Sequence, residues 1–150
     1  MKGFTLVELM LSITVMFIGV IAIYGLLSLV IDETAKSTDR FIASQLAREG
    51  VELVRNIRDR NLVQATDWLT DMEDCNTGCE IDHDDPFPSL DASRFLKKDA
   101  QGFFNYEAGE DTKYKRRIII AQVADYARVE VEVSWPSNSF VIEEHFYDWR

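Results

Sequence analysis

The sequence predicts an α+β fold: a long amino-terminal helix, transmembrane in its first half, packed through its outer half on a small antiparallel sheet. Three observations carry that prediction. An uncharged apolar run of about 23 residues extends from Leu9 to Ile31. A helical apolar period continues beyond it without a proline. From Arg117 onward the pattern changes to short runs in which apolar and polar side chains alternate.

The chain has 150 residues, which suits one domain rather than two. Its 47% hydrophobic content is uneven, because apolar residues crowd into the first fifth of the chain. A helix rises about 1.5 Å per residue, so Leu9 to Ile31 reaches roughly 35 Å, enough to cross a hydrocarbon core of about 30 Å. A cleaved secretory signal has a shorter apolar region, about 7–15 residues, ending at a small-residue site. Here Asp32-Glu33-Thr34 follow instead. Glu8 stands at the head of the run, and a charge at the centre of a membrane helix costs about 2.5–3.5 kcal/mol. Either Glu8 rests among lipid headgroups, where the cost is lower, or a cation meets it within an assembly.

Beyond Ile31 the residues Ile31, Ala35, Thr38, Ile42, Leu46, Gly50, Leu53 and Ile57 recur at steps of three and four, marking one helix face. Arg48, Glu52, Arg55 and Asp59 occupy the opposite face at spacings that allow modest ion-pair support. One helix from Phe4 to Leu62 is expected, longer than a usual globular helix. Ala47 and Gly50 would let another element approach it closely.

From Asn61 to Gly102 the chain reads as an irregular acidic region, punctuated by Gly78, Pro86 and Pro88. Cys75 and Cys79 would close a small loop if oxidised. A zinc site is the rival, but two cysteines and two scattered histidines lack a four-ligand pattern. Asp71, Glu73, Asp74, Glu80, Asp82, Asp84 and Asp85 surround that loop. Carboxylate oxygens are calcium ligands, and Asp82, Asp84 and Asp85 are the candidates, although their spacing is not that of an EF-hand. A solvated acidic loop needs no cation.

Arg128 to Trp135 alternates strictly, as a half-buried strand does. Pro136-Ser137-Asn138 makes a turn, and Phe140 to Trp149 returns as a second strand. Arg117 to Val123 precedes them as a third, with Asp125 in the intervening turn. Three such strands form a meander whose apolar face needs cover, and the helix stripe from Leu46 to Ile57 supplies it. The basic run Lys113 to Arg117 is expected as a solvated strand end that discourages edge pairing.

The net charge of -10, from 26 acidic and 16 basic residues, argues against nucleic-acid binding, which needs basic surface to release counterions. His83 and His145 are the only histidines. With no phosphate loop, nucleophile motif or singled-out acid–base pair, an enzyme is not expected. Only Lys2 is basic before the apolar run, so the positive-inside rule favours a cytoplasmic amino terminus. The cysteines then lie outside, where a disulfide persists.

Lys2-Gly3-Phe4-Thr5-Leu6-Val7-Glu8, followed at once by the apolar run, resembles the amino-terminal signature of type IV prepilins and pseudopilins. The resemblance implies that a prepilin peptidase cuts between Gly3 and Phe4 and methylates the new amino terminus on Phe4. Glu8 is then fifth after the cut, the position of the family's glutamate. The leader, Met1-Lys2-Gly3, is shorter and less basic than family leaders commonly are. The segment Leu46 to Asp59 is similar to one in minor-pilin-like members. The family plan implies a leader at 1–3, a transmembrane and filament-core helix at 4–31, its outer half at 32–62, and an extracytoplasmic loop-and-sheet domain at 63–150. It also implies a structural subunit of a pilus or secretion-like filament. Its partners would be other pilin-like subunits, an inner-membrane assembly platform and, before assembly, membrane lipid. No cofactor is implied, although some pseudopilins hold calcium in their outer loops. The alternative is an uncleaved single-pass anchor carrying a small outer binding domain.

Overall fold

The computed structural model describes residues 5–85 and 87–148. A single helix, α1, runs Leu6–Val63, as the unbroken apolar period predicts; Phe4 lies outside the described residues. The chain divides after Asp39 into two compact units. In the first, every described residue from Thr5 to Thr38 is exposed, including a dense series of large apolar side chains. In the second, α1 buries Ala43, Leu46, Ala47, Gly50, Val51, Leu53, Val54, Ile57 and Asn61. The predicted stripe is therefore buried from Leu46 onward. Ile31, Ala35 and Thr38 are exposed, and Ile42 is half-buried.

The helix ends where Asn61 draws the chain back. Its carbonyl accepts the Thr66 N–H at 3.1 Å, and its side-chain amide donates to the Thr70 carbonyl at 2.8 Å. Ala65 takes a left-handed conformation, φ 56°, which stops further helical turns. A short 3-10 turn follows at Glu73–Thr77. Three two-residue strands, β1 (Lys97–Lys98), β2 (Phe104–Asn105) and β3 (Glu110–Asp111), form a small sheet of order β2-β1-β3. Only β1 falls within the region from Asn61 to Gly102 expected to be irregular, and two-residue strands are too short to show a period.

The main sheet is the expected meander: β4 (Lys115–Val123), β5 (Tyr126–Trp135) and β6 (Asn138–Tyr147), all antiparallel in the order β4-β5-β6. Trp149, the expected end of the last strand, lies outside the described residues. Val123 pairs with Tyr126 and Trp135 with Asn138, so two-residue turns close both hairpins. On β5, Ala127, Val129, Val131, Val133 and Trp135 are buried in strict alternation. Together with Ile118, Ile120 and Phe146 they form one core with the buried face of α1.

One sequence expectation is corrected here. Arg116, placed in a solvated basic strand end, is fully buried. It shares the inward parity of Ile118 and Ile120 and lies beneath the helix. Its Nη1 donates to Glu49 Oε1 at 3.0 Å and to the Leu46 carbonyl at 3.4 Å, and its Nη2 donates to the Ile81 carbonyl at 2.8 Å. Arg117 is exposed as expected and donates to the Thr77 carbonyl at 2.7 Å. On the helix, Arg55 binds Glu52 as well as Glu144 of β6, while Asp59 pairs with its neighbour Arg58.

Gly50 sets how closely helix and sheet approach, as the sequence predicted. A Cβ there would lie 2.8 Å from Val131 Cγ1 and 3.2 Å from Arg116 Cδ. Gly50→Ala is expected to destabilise the fold by about 1 kcal/mol. Overpacking costs about 1–3 kcal/mol, while helix propensity returns about 1. The denaturation midpoint of the full chain in detergent should fall, and further for Gly50→Val. A raised midpoint for Gly50→Ala would show that the contact has slack.

Candidate functional site

Gly3 and Phe4, the residues of the expected cleavage and methylation, lie outside the described residues. Glu8 is exposed in the first turn of α1. Its N–H donates to Thr5 Oγ1 at 3.3 Å, and the Leu9 N–H donates to the Thr5 carbonyl at 3.1 Å. Thr5 is thus the N-cap and Glu8 the third helical residue, the T-x-x-E spacing of a capping box. The sequence reading passed over Thr5, though that spacing was visible. A carboxylate in this turn also faces the positive end of the helix dipole. The helix Leu6–Val63 is long and apolar enough to span a membrane, and its apolar amino-terminal part is exposed. Such a surface is far larger than the apolar patches water-soluble monomers carry. It fits membrane anchoring.

The acidic loop lies in the other unit. Cys75 and Cys79 form a disulfide with Cα atoms 5.1 Å apart, and both are buried. It closes the 3-10 turn, and Gly78 provides the left-handed φ of 112° that the reversal requires. Cys79 then exchanges two backbone hydrogen bonds with Ile118, at 2.8 and 2.9 Å. This pairing covers part of the free edge of β4.

The loop carboxylates divide into two kinds. Glu80 and Asp82 are buried; Asp71, Glu73, Asp74 and Asp84 are exposed. Glu80 accepts the Arg94 N–H at 2.8 Å and Arg94 Nε at 2.6 Å. Burial pushes its carboxyl above the usual range, although Arg94 pulls it down. Asp82 Oδ2 accepts the Tyr106 N–H at 2.8 Å, and Oδ1 accepts the His83 N–H at 2.8 Å. Burial raises the Asp82 carboxyl, but the Tyr106 and His83 donors and the charge of Arg116 outweigh it and hold the group below its ordinary value. The hydrogen bond to Asp82 raises the His83 imidazole. Tyr106, whose hydroxyl donates to the Arg116 carbonyl at 3.2 Å, is pushed by burial up to about 12.

Of the calcium candidates, Asp82 and Asp84 come together with His83, their ligand atoms all within 4.8 Å. Asp85 instead accepts the Asp82 N–H through Oδ2, at 3.1 Å. A cation held by Asp82, Asp84 and Asp85 would have to compete with the N–H partners of Asp82.

Asp82 acts as an internal acceptor for two loop segments, so its charge has a stability signature. Its folded-state pKa is depressed, so its contribution is full above the ordinary value of 3.8 and lost as pH falls through the lower, folded value. Asp82→Asn should cost about 1–3 kcal/mol near neutral pH. In paired denaturation curves, the gap between variant and parent should narrow below pH 3.8. A gap that stays constant into acid would show that charge is not what Asp82 supplies.

No curated protein and no solved structure matches the chain. Residues 1–24 match the family model described as the prokaryotic N-terminal methylation motif. That motif belongs to structural subunits, and it implies processing by prepilin peptidase and pilin-like assembly partners. The chain thus carries the type IV prepilin and pseudopilin signature, which supports a type IV pilin-like precursor.

Proposed function

We propose that the protein is a filament subunit, a pilin, minor pilin or pseudopilin. Prepilin peptidase removes Met1-Lys2-Gly3 and methylates Phe4. The observation that carries the reading is the coincidence of the methylation motif with a capped helix start and an exposed apolar helix. Residues 4–31 cross the cytoplasmic membrane with the amino terminus inside, and the same surface later forms the filament core. Residues 32–62 continue the helix outside, and 63–150 form the outer loop-and-sheet domain. An inner-membrane assembly platform moves the subunit from lipid into a cell-surface or periplasmic filament.

Cleavage leaves a positive amine on Phe4, close to the unpaired N–H groups of the helix start. Glu8, about one turn along, reaches its own amine or that of a neighbouring subunit. As helices bundle and exclude water, an unpaired charge becomes costly, while a paired one favours a particular axial stagger. The pair is weak in the lone membrane-bound subunit and strong in the filament. It checks register.

Two outcomes follow. Intact-mass measurement of membrane-extracted protein should find the leader lost and one methyl group gained. A retained Met1-Lys2-Gly3 in cells with active peptidase would favour an uncleaved anchor. Glu8→Ala should be made, inserted and cleaved normally, yet enter filaments roughly a hundredfold less or worse, because stranding a buried charge costs about 3–5 kcal/mol. Glu8→Asp should restore incorporation only in part, its side chain being shorter. Equal filament-to-membrane ratios for Glu8→Ala and the parent would make Glu8 a headgroup-level carboxylate and nothing more.

A further inference from the structure

At the end of β5 a groove of about 210 Å³ is lined by Phe95, Lys113, Lys115, Ser134, Trp135 and Pro136. Its walls are mostly apolar, and two ammonium groups flank them. Lys115 Nζ stands 4.4 Å from the centre of the Phe95 ring, and Lys113 Nζ 5.7 Å from that of Tyr114. Phe95 remains 45% exposed. In a chain of net charge -10, this is a local concentration of positive charge on aromatic surface.

The acidic loop of the same unit carries the complementary feature. Phe87 and Leu90 are 59% and 60% exposed, and the Asp84 side chain is 62% exposed. More than half of each of these two apolar residues is open to solvent. In sequence, Pro86 and Pro88 flank Phe87, and a residue before proline is steered toward extended backbone. Ser89 exchanges two backbone hydrogen bonds with Glu80, at 2.7 and 2.8 Å, which ties the base of the loop that carries Asp84, Phe87 and Leu90. Exposed side chains on a loop tied at its base lose less entropy on binding than those of a free segment.

We propose that the strip carrying Asp84, Phe87 and Leu90 docks in the groove of a neighbouring copy of the chain, with Phe87 entering the apolar walls and Asp84 facing Lys113 and Lys115. Charge complementarity selects this occupant: an acidic surface meets the basic patch of an otherwise acidic protein. The two patches differ, so the contact is heterologous and propagates from copy to copy rather than closing a two-fold dimer. It rests on the filament reading in one respect. The contact is too small to hold by itself, and packed helices raise the effective concentration of neighbouring outer domains to the millimolar range.

The test places the photo-crosslinker benzoylphenylalanine at position 87 of the full-length chain, in membranes and filaments of producing cells. Covalent dimers are expected, mapped to peptides containing Phe95, Lys113, Lys115 or Trp135. Lys115→Glu should reduce dimer yield roughly fivefold, and Lys113→Glu similarly. Adding Asp84→Lys to Lys115→Glu should restore it, which a misfolded groove would not allow. Cross-links only within one copy, dimers joined elsewhere, or a yield indifferent to charge reversal would overturn the contact. Filament content in the same cells separates the two readings. Filaments whose cross-links avoid the groove would refute the docking alone. Groove cross-links in cells lacking filaments would refute the filament reading and leave the docking in place.

Discussion

The buried guanidinium of Arg116 is the constraint around which the second unit is arranged. An unpaired charge in a low-dielectric interior is far too costly to leave, so the surrounding chain must bring acceptors to it. They come from separate parts of the fold: Leu46 and Glu49 from the helix, Ile81 from the acidic loop. Tyr106 places its ring 5.8 Å from the guanidinium carbon and returns a hydrogen bond to the Arg116 carbonyl. Only Nε, among the described buried side-chain nitrogens and oxygens, finds no partner. Helix, sheet and loop are therefore tied to one cation, and none can shift without stranding it.

The loop's own charges follow from that arrangement. Ile81 must deliver its carbonyl to Arg116, so its neighbours Glu80 and Asp82 are carried inward with it. Each is neutralised locally, Glu80 by Arg94 and Asp82 by backbone N–H groups and the nearby guanidinium. Arg94 also stands 4.9 Å from the Tyr106 ring centre, opposite in sequence origin to Arg116 on the same aromatic. The disulfide and the Cys79–Ile118 pairing hold the start of this segment against β4. A loop rich in carboxylates is held by Glu80, Asp82 and Asp85, which accept hydrogen bonds within it, while Asp71, Glu73, Asp74 and Asp84 are exposed.

How much of this was legible depended on periodicity. The helix and the three-stranded meander were readable because 3.6- and 2-residue periods persisted over many residues, most plainly in Val129, Val131 and Val133. The disulfide was readable from two nearby cysteines beyond a membrane-length run. Arg116 was not, because three consecutive basic residues look like a solvated strand end. Counting parity from Ile118 and Ile120 would have turned it inward. Glu80 and Asp82 were hidden among seven similar acids, whose burial depends on distant partners such as Arg94 and Tyr106. At the amino terminus the motif residues and Glu8 were plain, whereas Thr5 was overlooked because its work is local capping.

The two units solve opposite problems with one helix. From Ala43 onward, side chains at every turn of α1 are buried in a core that the same chain completes. From Leu6 to Ile31 the helix has no such cover, and residues as large as Phe17, Ile21 and Leu29 stay more than 60% exposed. At roughly 25 cal/mol per Å² of apolar surface, a cost of that size in water is incompatible with a free monomer. The missing cover must come from outside the chain, either lipid or other apolar helices, and both are equally apolar toward leucine and valine side chains. Apolar contact alone therefore distinguishes poorly between the two environments or among possible staggers. A directional charge at the head of the helix can make that distinction, because its cost changes steeply with water exclusion and partner position. In the filament reading proposed above, Glu8, in the first turn beside the Thr5 cap, is the group assigned to supply it.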